Sequence, residues 1–124
     1  MTFREIISVA APAGYVNITR DVENIISRSG VSEGVCSVFA AGESACIIIS
    51  DGSPLLMEDL KRTFNELASD KRAYASTDGS LKLRAALVSP DKTIPITNGK
   101  LPKALMLWDF AREKKPVEII VSVF

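Results

Sequence analysis

The sequence predicts an α+β domain with a largely antiparallel, mixed sheet and about three helices packed on it. The predicted elements follow the order strands, helix, strands, helix, helix, strands. This order differs from the strand–helix alternation that builds a parallel sheet. The 124 residues are enough for one domain over residues 1–124,. Hydrophobic residues make up 47% and charged residues 24%, which is typical of a soluble globular protein.

The predicted strands are short apolar runs rich in β-branched residues. They cover residues 3–9, 15–18, 35–40, 45–50, 93–96, 105–110 and 117–124. Three isoleucines in succession, Ile47 to Ile49, predict that residues 45–50 are covered on both faces. The runs 35–40 and 45–50 flank the tetrapeptide 41–44, which favours a hairpin there.

Three helices are predicted from capping residues and apolar spacing. Thr19 is the expected N-cap of the first helix, which Gly30 ends in a left-handed conformation. Ser53 is the expected cap of the longest helix, residues 54–68, with Pro54 at its first position. The apolar stripe of this helix is Leu56, Leu60, Phe64 and Leu67,.

The third helix is shorter and follows a polar loop over residues 69–79. It is predicted over residues 80–88, and its apolar residues are Leu83, Ala86 and Leu87. Asn98-Gly99 is the strongest turn signal of the chain. The apolar runs 105–108 and 117–124 fit either a subunit interface or the core of one chain.

Charge and hydropathy exclude several classes of partner. Fifteen basic residues balance fifteen acidic ones, so no net field attracts the chain to nucleic acid or to an anionic membrane surface. No apolar run approaches the roughly 20 residues that span a bilayer. Residues 6–13 are too short, and too close to Glu5, for a signal peptide. We therefore expect a cytoplasmic protein, in which the basic run 112–115 is a solvated turn.

The chain contains no histidine. Histidine-based triads, Cys-His dyads and histidine-bound zinc are therefore excluded. Cys36 and Cys46 are too few for a zinc cluster made of cysteine alone. They would face each other if the hairpin forms, but we expect two buried, reduced thiols. No Gly-rich phosphate loop of the Walker or Rossmann type is present.

Four segments together carry a resemblance to a known family. They are residues 18–22, residues 38–39 leading into 45–51, residues 58–60, and residues 83–87 continuing through 93–96 to 98–101. In this order and spacing they resemble the YjbQ family, also called secondary thiamine-phosphate synthases. The resemblance covers nearly the whole chain. It implies a compact α+β fold and a homotrimer, with a cluster of metal-binding histidines in a pocket where subunits meet.

The chain departs from this family pattern at every histidine position. Gly42, Glu43 and Ser44 stand where the family has a histidine followed by hydroxyl residues. The tyrosine of the family's long loop is kept as Tyr74, but the nearby histidine is replaced by Ser76.

The remaining departures lie at the third helix and after the late turn. Asp78, Ser80 and Lys82 match an asparagine and two histidines of the family. The family's Leu-Gly-Thr-Trp-Gln stretch is shortened to residues 102–104, and Trp108 lies in the next strand and does not replace it. Joint loss of these positions indicates loss of the metal site, so no metal and no cofactor are expected.

Lys82 offers a positive charge where the resemblance places a cation. A charged ammonium only donates hydrogen bonds and cannot ligate a metal. It would instead act as a substitute charge near Asp51 and Asp78, or it is a surface lysine without a role. The expected ligand contacts are Ser44, Tyr74, Ser76, Ser80, Lys82 and Arg84.

Two functions are compatible with these features. The first is a homotrimeric, non-metal and non-catalytic descendant that binds a small anionic ligand, such as a phosphorylated one, or a protein partner. The alternative is an enzyme with thiamine-phosphate-synthase-like activity. In that case Lys82 and Arg84 replace the metal's charge, and Glu43, Asp51 or Asp78 acts as acid or base.

Overall fold

A computed structural model describes residues 2–124. Its elements confirm the predicted α+β fold. In chain order they are β1 (Phe3–Val9), β2 (Tyr15–Asn17), α1 (Thr19–Ser29), β3 (Gly34–Ala40), β4 (Ala45–Ser50), α2 (Pro54–Leu67), α3 (Gly79–Val88), β5 (Asp91–Ile96), β6 (Ala104–Asp109) and β7 (Val117–Val123). Within the described range, no helix combines the length and the apolar character needed to cross a membrane.

The strands divide between two sheets. One has four strands in the order β1-β7-β3-β5, and the other has three in the order β2-β6-β4. All of these neighbours pair antiparallel. None of these pairs joins two strands that are consecutive along the chain.

The three-stranded sheet forms the middle layer of the domain. On β6, Leu105 and Leu107 face a core shared with α1 and the four-stranded sheet. Met106 and Trp108 alternate with them and face a second core beneath α2 and α3, as expected for a strand whose side chains point to opposite faces in turn. Ile47 on β4 is fully buried in the first core. Apolar side chains therefore cover both faces of this sheet, as the isoleucine run predicted.

The predicted hairpin of residues 35–50 is wrong. β3 pairs with β5 and β7, whereas β4 pairs with β6. Residues 41–44 carry the chain from one sheet to the other instead of turning within one. Cys46 alternates with Ala45 and Ile47 on β4 and faces the second core, whereas Cys36 is packed in the first core.

Cys36 and Cys46 are both buried and free, as predicted. Burial raises the pKa of the Cys36 thiol to about 11. Burial also raises the pKa of the Cys46 thiol to about 12, although Lys92 lowers it slightly. Both thiols therefore remain protonated at neutral pH. They are unreactive in this form, because the thiolate is the reactive species.

Helix boundaries follow the sequence closely, but the capping differs. Gly30 ends α1 with φ 76°, and Pro54 begins α2, both as predicted. Thr19 is the first residue of α1 rather than its cap, which is Ile18. The Thr19 hydroxyl instead accepts the Leu105 N–H at 2.9 Å. Ser53 is the N-cap of α2 but makes no side-chain capping bond.

The buried faces of α2 and α3 differ in part from the predicted stripes. On α2, Met57 and Phe64 are buried, whereas Leu67 is exposed. The predicted apolar residues of α3 include Leu87, which is exposed as well. The side chains of α3 that are buried are those of Ser80, Leu81, Arg84 and Ala85. Packing of α3 against β4 decides which face is buried, because this helix has no pronounced apolar stripe.

The apolar strands β6 and β7 belong mainly to the core of a single chain. The side chains at residues 105–108 are all buried within it. On β7, Val117, Ile119, Val121 and Val123 are buried and contribute to the first core. Only the opposite face of β7 remains for contacts with another subunit.

Candidate functional site

A cleft of about 620 Å³ brings four of the predicted site residues together. It lies between the crossover at residues 41–44, the N-terminal end of α3, and residues 109–118. The four predicted residues in its lining are Glu43, Ser44, Asp78 and Lys82. The local folds that place them are the passage between the two sheets and the first turns of α3.

Lys82 supplies an unpaired cation to this cleft. It is exposed on α3 and lines the cleft wall. The ion pairs formed within residues 2–124 do not include it. An ammonium without a partner is free to donate hydrogen bonds to a ligand.

The crossover supplies one exposed and one buried polar residue. Glu43 is exposed, and Ser44 is only 8% exposed. The Ser44 carbonyl accepts the Phe110 N–H at 3.0 Å. This bond fixes the crossover against the end of β6, so Glu43 is presented at a defined place on the cleft.

Asp78 lies at the junction of the polar loop and α3. Its backbone is left-handed, with φ 54°. Its carbonyl accepts the N–H groups of Leu81 and Lys82, each at 3.1 Å. Its carboxylate lies 3.7 Å from the Nε of Arg112. The helix start and the 111–116 turn are thus linked across the cleft.

The structure adds charged residues that the sequence analysis did not select. They come from the end of β6, the turn after it and the start of β7, and they are Asp109, Arg112, Glu113, Lys115 and Glu118. Three residues of the run 112–115, interpreted from the sequence as a solvated turn, line the cleft; the exception is Lys114. The sequence contained a signal that could have identified Asp109 as a site residue, because its carboxylate ends the otherwise apolar run 105–109. It is 4% exposed, and its Oδ1 accepts the Ala111 N–H at 3.0 Å.

The charges around the cleft are mixed. Its carboxylates are Glu43, Asp78, Asp109, Glu113 and Glu118, and its cations are Lys82, Arg112 and Lys115. Carboxylates therefore outnumber cations. A purely anionic ligand would be attracted by the three cations and repelled by the five carboxylates,.

Ser80 and Arg84 lie on the other side of α3 and contact Asp70. The Ser80 hydroxyl donates to Asp70 Oδ1 at 2.5 Å. Arg84 Nη2 lies 3.5 Å from the same oxygen, and Arg112 Nη2 lies 3.8 Å from it. The Ser80 hydrogen bond, with the Arg84 and Arg112 charges, lowers the pKa of Asp70.

Arg84 is a buried structural cation. It is 7% exposed, and its Nε and Nη2 donate to the Ala68 carbonyl at 3.1 and 2.8 Å. That carbonyl belongs to the residue that ends α2. Arg84 therefore holds the end of α2 to α3 and does not line the cleft with Lys82.

Tyr74 and Ser76 lie beside the N-terminus of α3 without lining the cleft. The Tyr74 hydroxyl donates to the Ser69 carbonyl at 2.7 Å, and the Arg72 guanidinium lies 4.6 Å from its ring centroid. Ser76 is exposed. Its Oγ would lie 3.1 Å from a Cβ at Gly79. These residues shape the loop that leads into the site.

Asp51 lies apart from the other predicted residues. Its Oδ1 accepts the Ser53 N–H at 2.8 Å, at the start of α2. It adjoins Asn17, Thr19 and residues 101–104, in a different hollow from the cleft. The structure thus does not bring Asp51 together with Asp78 and Lys82.

The donor set does not fit the metal ion that the family resemblance implies. The chain has no histidine. Over residues 2–124, no three His, Cys, Asp or Glu side chains are grouped so that they could hold a metal. We therefore interpret the charged groups of the cleft as groups that form ion pairs and hydrogen bonds.

The fold is similar to several solved structures. A YbjQ-like protein of unknown function from Sulfolobus solfataricus P2 superposes with a TM-score of 0.90 at 23% identity, covering 99% of this chain and 96% of that one. An uncharacterised YjbQ/UPF0047 protein from Clostridium acetobutylicum gives a TM-score of 0.87 at 22% identity, covering 97% and 99% of the two chains. At these identities the likeness concerns the fold alone.

Sequence comparison extends the likeness beyond the fold. UPF0047 protein sll1880 from Synechocystis is 32% identical over 118 residues, which covers 86% of this chain and 80% of that relative. The family model described as UPF0047 protein YjbQ-like matches residues 5–122. The chain therefore belongs to the YjbQ family.

Proposed function

We propose that this protein binds a small ligand through an anionic group, without a metal, in the cleft lined by Lys82 and Arg112. The anionic group is a phosphate or a carboxylate. The observation that carries the proposal is the unpaired Lys82 ammonium in a cleft of about 620 Å³. Cationic side chains that are free to donate are the usual partners of phosphate and carboxylate oxygens.

The excess of carboxylates in the cleft also restricts the charge that the ligand can carry. A ligand with its anionic end at Lys82 and Arg112 would share the cleft with Glu43, Asp109 and Glu118. A neutral or cationic remainder would meet these groups favourably, whereas a second anionic group would be repelled. We therefore infer a zwitterionic or singly anionic ligand.

Titration with phosphocholine, inorganic phosphate and citrate tests this proposal. We expect phosphocholine to raise the melting temperature most and citrate least, because ligand that binds the folded state stabilises it. Lys82→Ala should weaken phosphocholine binding by at least about tenfold, since a hydrogen bond to a charged group contributes about 1.5–3 kcal/mol.

Lys103→Ala is the matched control, because Lys103 is exposed and lies outside the cleft. It should bind phosphocholine as the wild type does. Equal binding by the Lys82 variant, or a wild type that none of the probes stabilises, would contradict the proposal.

We further propose a homotrimer that uses the open face of the four-stranded sheet. Ile6, Ile120 and Phe39 form one row across this face through the register of β1, β7 and β3. Ile6 is 58% exposed and Phe39 is 40% exposed. Phe39 also adjoins a hollow that shares Glu43 and Lys82 with the cleft. A neighbouring subunit on this face would therefore reach the edge of the cleft.

Light scattering on Phe39→Glu tests the assembly. We expect a trimeric mass for the wild type and a smaller one for Phe39→Glu, because a carboxylate in an apolar interface is costly to bury. Leu55→Glu is the control, since Leu55 is 78% exposed on α2, away from this face. A monomeric wild type, or the same mass for Phe39→Glu and the wild type, would refute this assembly.

An enzymatic function is the second candidate, and the carboxylates near Lys82 favour it. Lys82 and Arg112, rather than Lys82 and Arg84, would neutralise a leaving pyrophosphate, while Glu43, Asp78 or Asp109 would act as acid or base. Formation of thiamine phosphate from its pyrimidine and thiazole precursors in metal-free buffer would support it. Glu43→Gln, Asp78→Asn and Asp109→Asn would identify the group that transfers the proton.

We place the protein in the cytoplasm. The support is that Cys36 and Cys46 are free thiols, which is usual for a reducing compartment. The balanced charge of the chain gives no reason to expect a nucleic-acid partner.

A further inference from the structure

We propose that a second cavity, beneath α2, binds a small planar aromatic anion. The cavity has a volume of about 260 Å³ and lies between α2, the end of β6 and the loop at residues 12–14. It is a separate site from the cleft of the proposed function. Asp109 lines both of them and stands between them.

The size of the cavity suits one substituted ring. An apolar cavity of about 150 Å³ is known to accommodate benzene. The additional volume here leaves room for a carboxylate or phosphate substituent on the ring. Larger, multi-ring ligands would not be enclosed.

Three aromatic side chains wall the cavity. They are Phe64, Trp108 and Phe110. The Phe64 ring meets Trp108 edge to face at a centroid distance of 5.3 Å, and meets Phe110 in the same manner at 5.0 Å. A planar ligand ring can extend such a cluster by stacking or by an edge contact.

Cations predominate around the aromatic walls. Lys61, Arg84 and Lys114 line the cavity, with Asp109 as the carboxylate. Lys114 Nζ donates to the Asp109 carbonyl at 2.6 Å, and the Arg84 guanidinium lies 5.9 Å from the Phe110 ring centroid. Lys61 takes part in none of the ion pairs of residues 2–124. The cavity therefore favours an anionic substituent, with Lys61 as the free partner.

The indole of Trp108 is buried at the wall of this cavity. Trp108 is 3% exposed, and its Nε1 is the buried side-chain donor that lacks a partner in the described part of the chain. Buried donors without an acceptor are rare in native proteins. Trp108 lines the cavity while its Nε1 is buried, so a ligand there is expected to contact the ring rather than the N–H.

Trp108 also provides the readout, because it is the single tryptophan of the chain. We propose titrating the protein with benzoate and with phenyl phosphate while exciting at the red edge of indole absorption. A saturable change in emission is expected with one or both probes, and the tighter one identifies the anionic group. Cyclohexanecarboxylate, which has the charge without the π system, should bind about two- to tenfold more weakly. Benzyl alcohol, which has the ring without the charge, should also bind more weakly.

Two variants locate the binding within this cavity. Lys61→Ala should weaken the tighter probe about two- to fivefold, while Arg62→Ala, on the next residue of α2 and outside the cavity, should bind as the wild type does. Ala13→Phe, which fills the cavity mouth, should abolish the emission change. Melting curves verify that each variant is folded.

Several outcomes would overturn this inference. They are the absence of a saturable signal with both aromatic anions, equal binding of benzoate and cyclohexanecarboxylate, and equal effects of the Lys61 and Arg62 variants. Lys82→Ala separates the two sites, because it should leave benzoate binding unchanged even if it removes binding in the cleft. Failure of the cleft proposal would therefore not affect this one.

Discussion

Lys82 and Arg84 lie two residues apart on α3 and occupy opposite environments. Residues two apart on a helix do not share a face, whereas those four apart do. Arg84 shares its face with Ser80 and is buried against the end of α2. Lys82 is exposed at the cleft. The geometry of the helix therefore separates two basic residues that the sequence hypothesis had paired.

Gly79 determines how the polar loop meets α3. A Cβ at this position would collide with the Cβ of Tyr74 and would lie 2.7 Å from its Cγ. Glycine permits such a close approach because it has no side chain. Gly79 therefore allows Tyr74 to pack directly against the start of α3.

We predict that Gly79→Ala destabilises the protein by about 1–3 kcal/mol, since an added methyl group in a filled site forces its neighbours apart. Helix propensity alone predicts the opposite sign, because alanine is favoured over glycine in helices by about 1 kcal/mol. Urea unfolding of both proteins distinguishes the two effects. A variant as stable as the wild type, or more stable, would show that the loop gives way at little cost.

At the scale of elements, local patterns predicted where strands and helices lie better than how they pair. The run 45–50 is β4 as predicted, because its isoleucines and the turn at residues 51–54 are local signals. The hairpin with β3 failed, because the pairing of β3 depends on β5 and β7, which lie far along the sequence. Pairing between strands that are distant in sequence does not alter the hydrophobic periodicity of either strand.

The candidate site shows the same division. Glu43, Ser44, Asp78 and Lys82 were predictable through the family resemblance, and all four line the cleft. Arg112 and Asp109 were missed. A charged turn has the same composition whether it faces solvent or lines a cleft. The position of α3 opposite this turn was needed to recognise the turn as a cleft wall.

The contacts of Asp70 join the polar loop, α3 and the turn after β6. Ser80 donates a hydrogen bond to Asp70, while Arg84 and Arg112 lie within 3.8 Å of its carboxylate. These groups lower its pKa from the ordinary value of 3.8. The folded state therefore releases this proton more readily than the unfolded state does.

We predict that Asp70→Asn lowers the free energy of unfolding at neutral pH, but less so in acid. A lowered folded pKa gives stability that is fully present above the unfolded value of 3.8. It is lost as the pH falls through the folded pKa. Unfolding measured from neutral pH to about pH 2 should show the two proteins converging.

Asp59→Asn controls for the change in net charge, since Asp59 is exposed on α2 and forms none of the ion pairs of residues 2–124. Its difference from the wild type should stay nearly constant with pH. A constant difference for Asp70→Asn as well would mean that the Asp70 contacts contribute no pH-dependent stability.

At the scale of the whole molecule, one sheet serves two cores. Leu105 and Leu107 fill the core toward the four-stranded sheet, while Met106 and Trp108 fill the core beneath the helices. These side chains alternate along the single strand β6, so displacement of β6 would disrupt both cores. The whole chain should therefore unfold as one unit, as small domains usually do.

The two cysteines allow this prediction to be tested core by core. Cys36 reports on the first core and Cys46 on the second. Their pKa values of about 11 and about 12 keep both thiols unreactive in the folded state,.

In the single-cysteine variants Cys46→Ala and Cys36→Ala, thiol labelling across a urea series should follow Trp108 fluorescence measured on the same variant, with one midpoint. Labelling of Cys46 at a lower urea concentration than the loss of far-ultraviolet circular dichroism would show that the helical layer opens first. The shared sheet would then not couple the two cores.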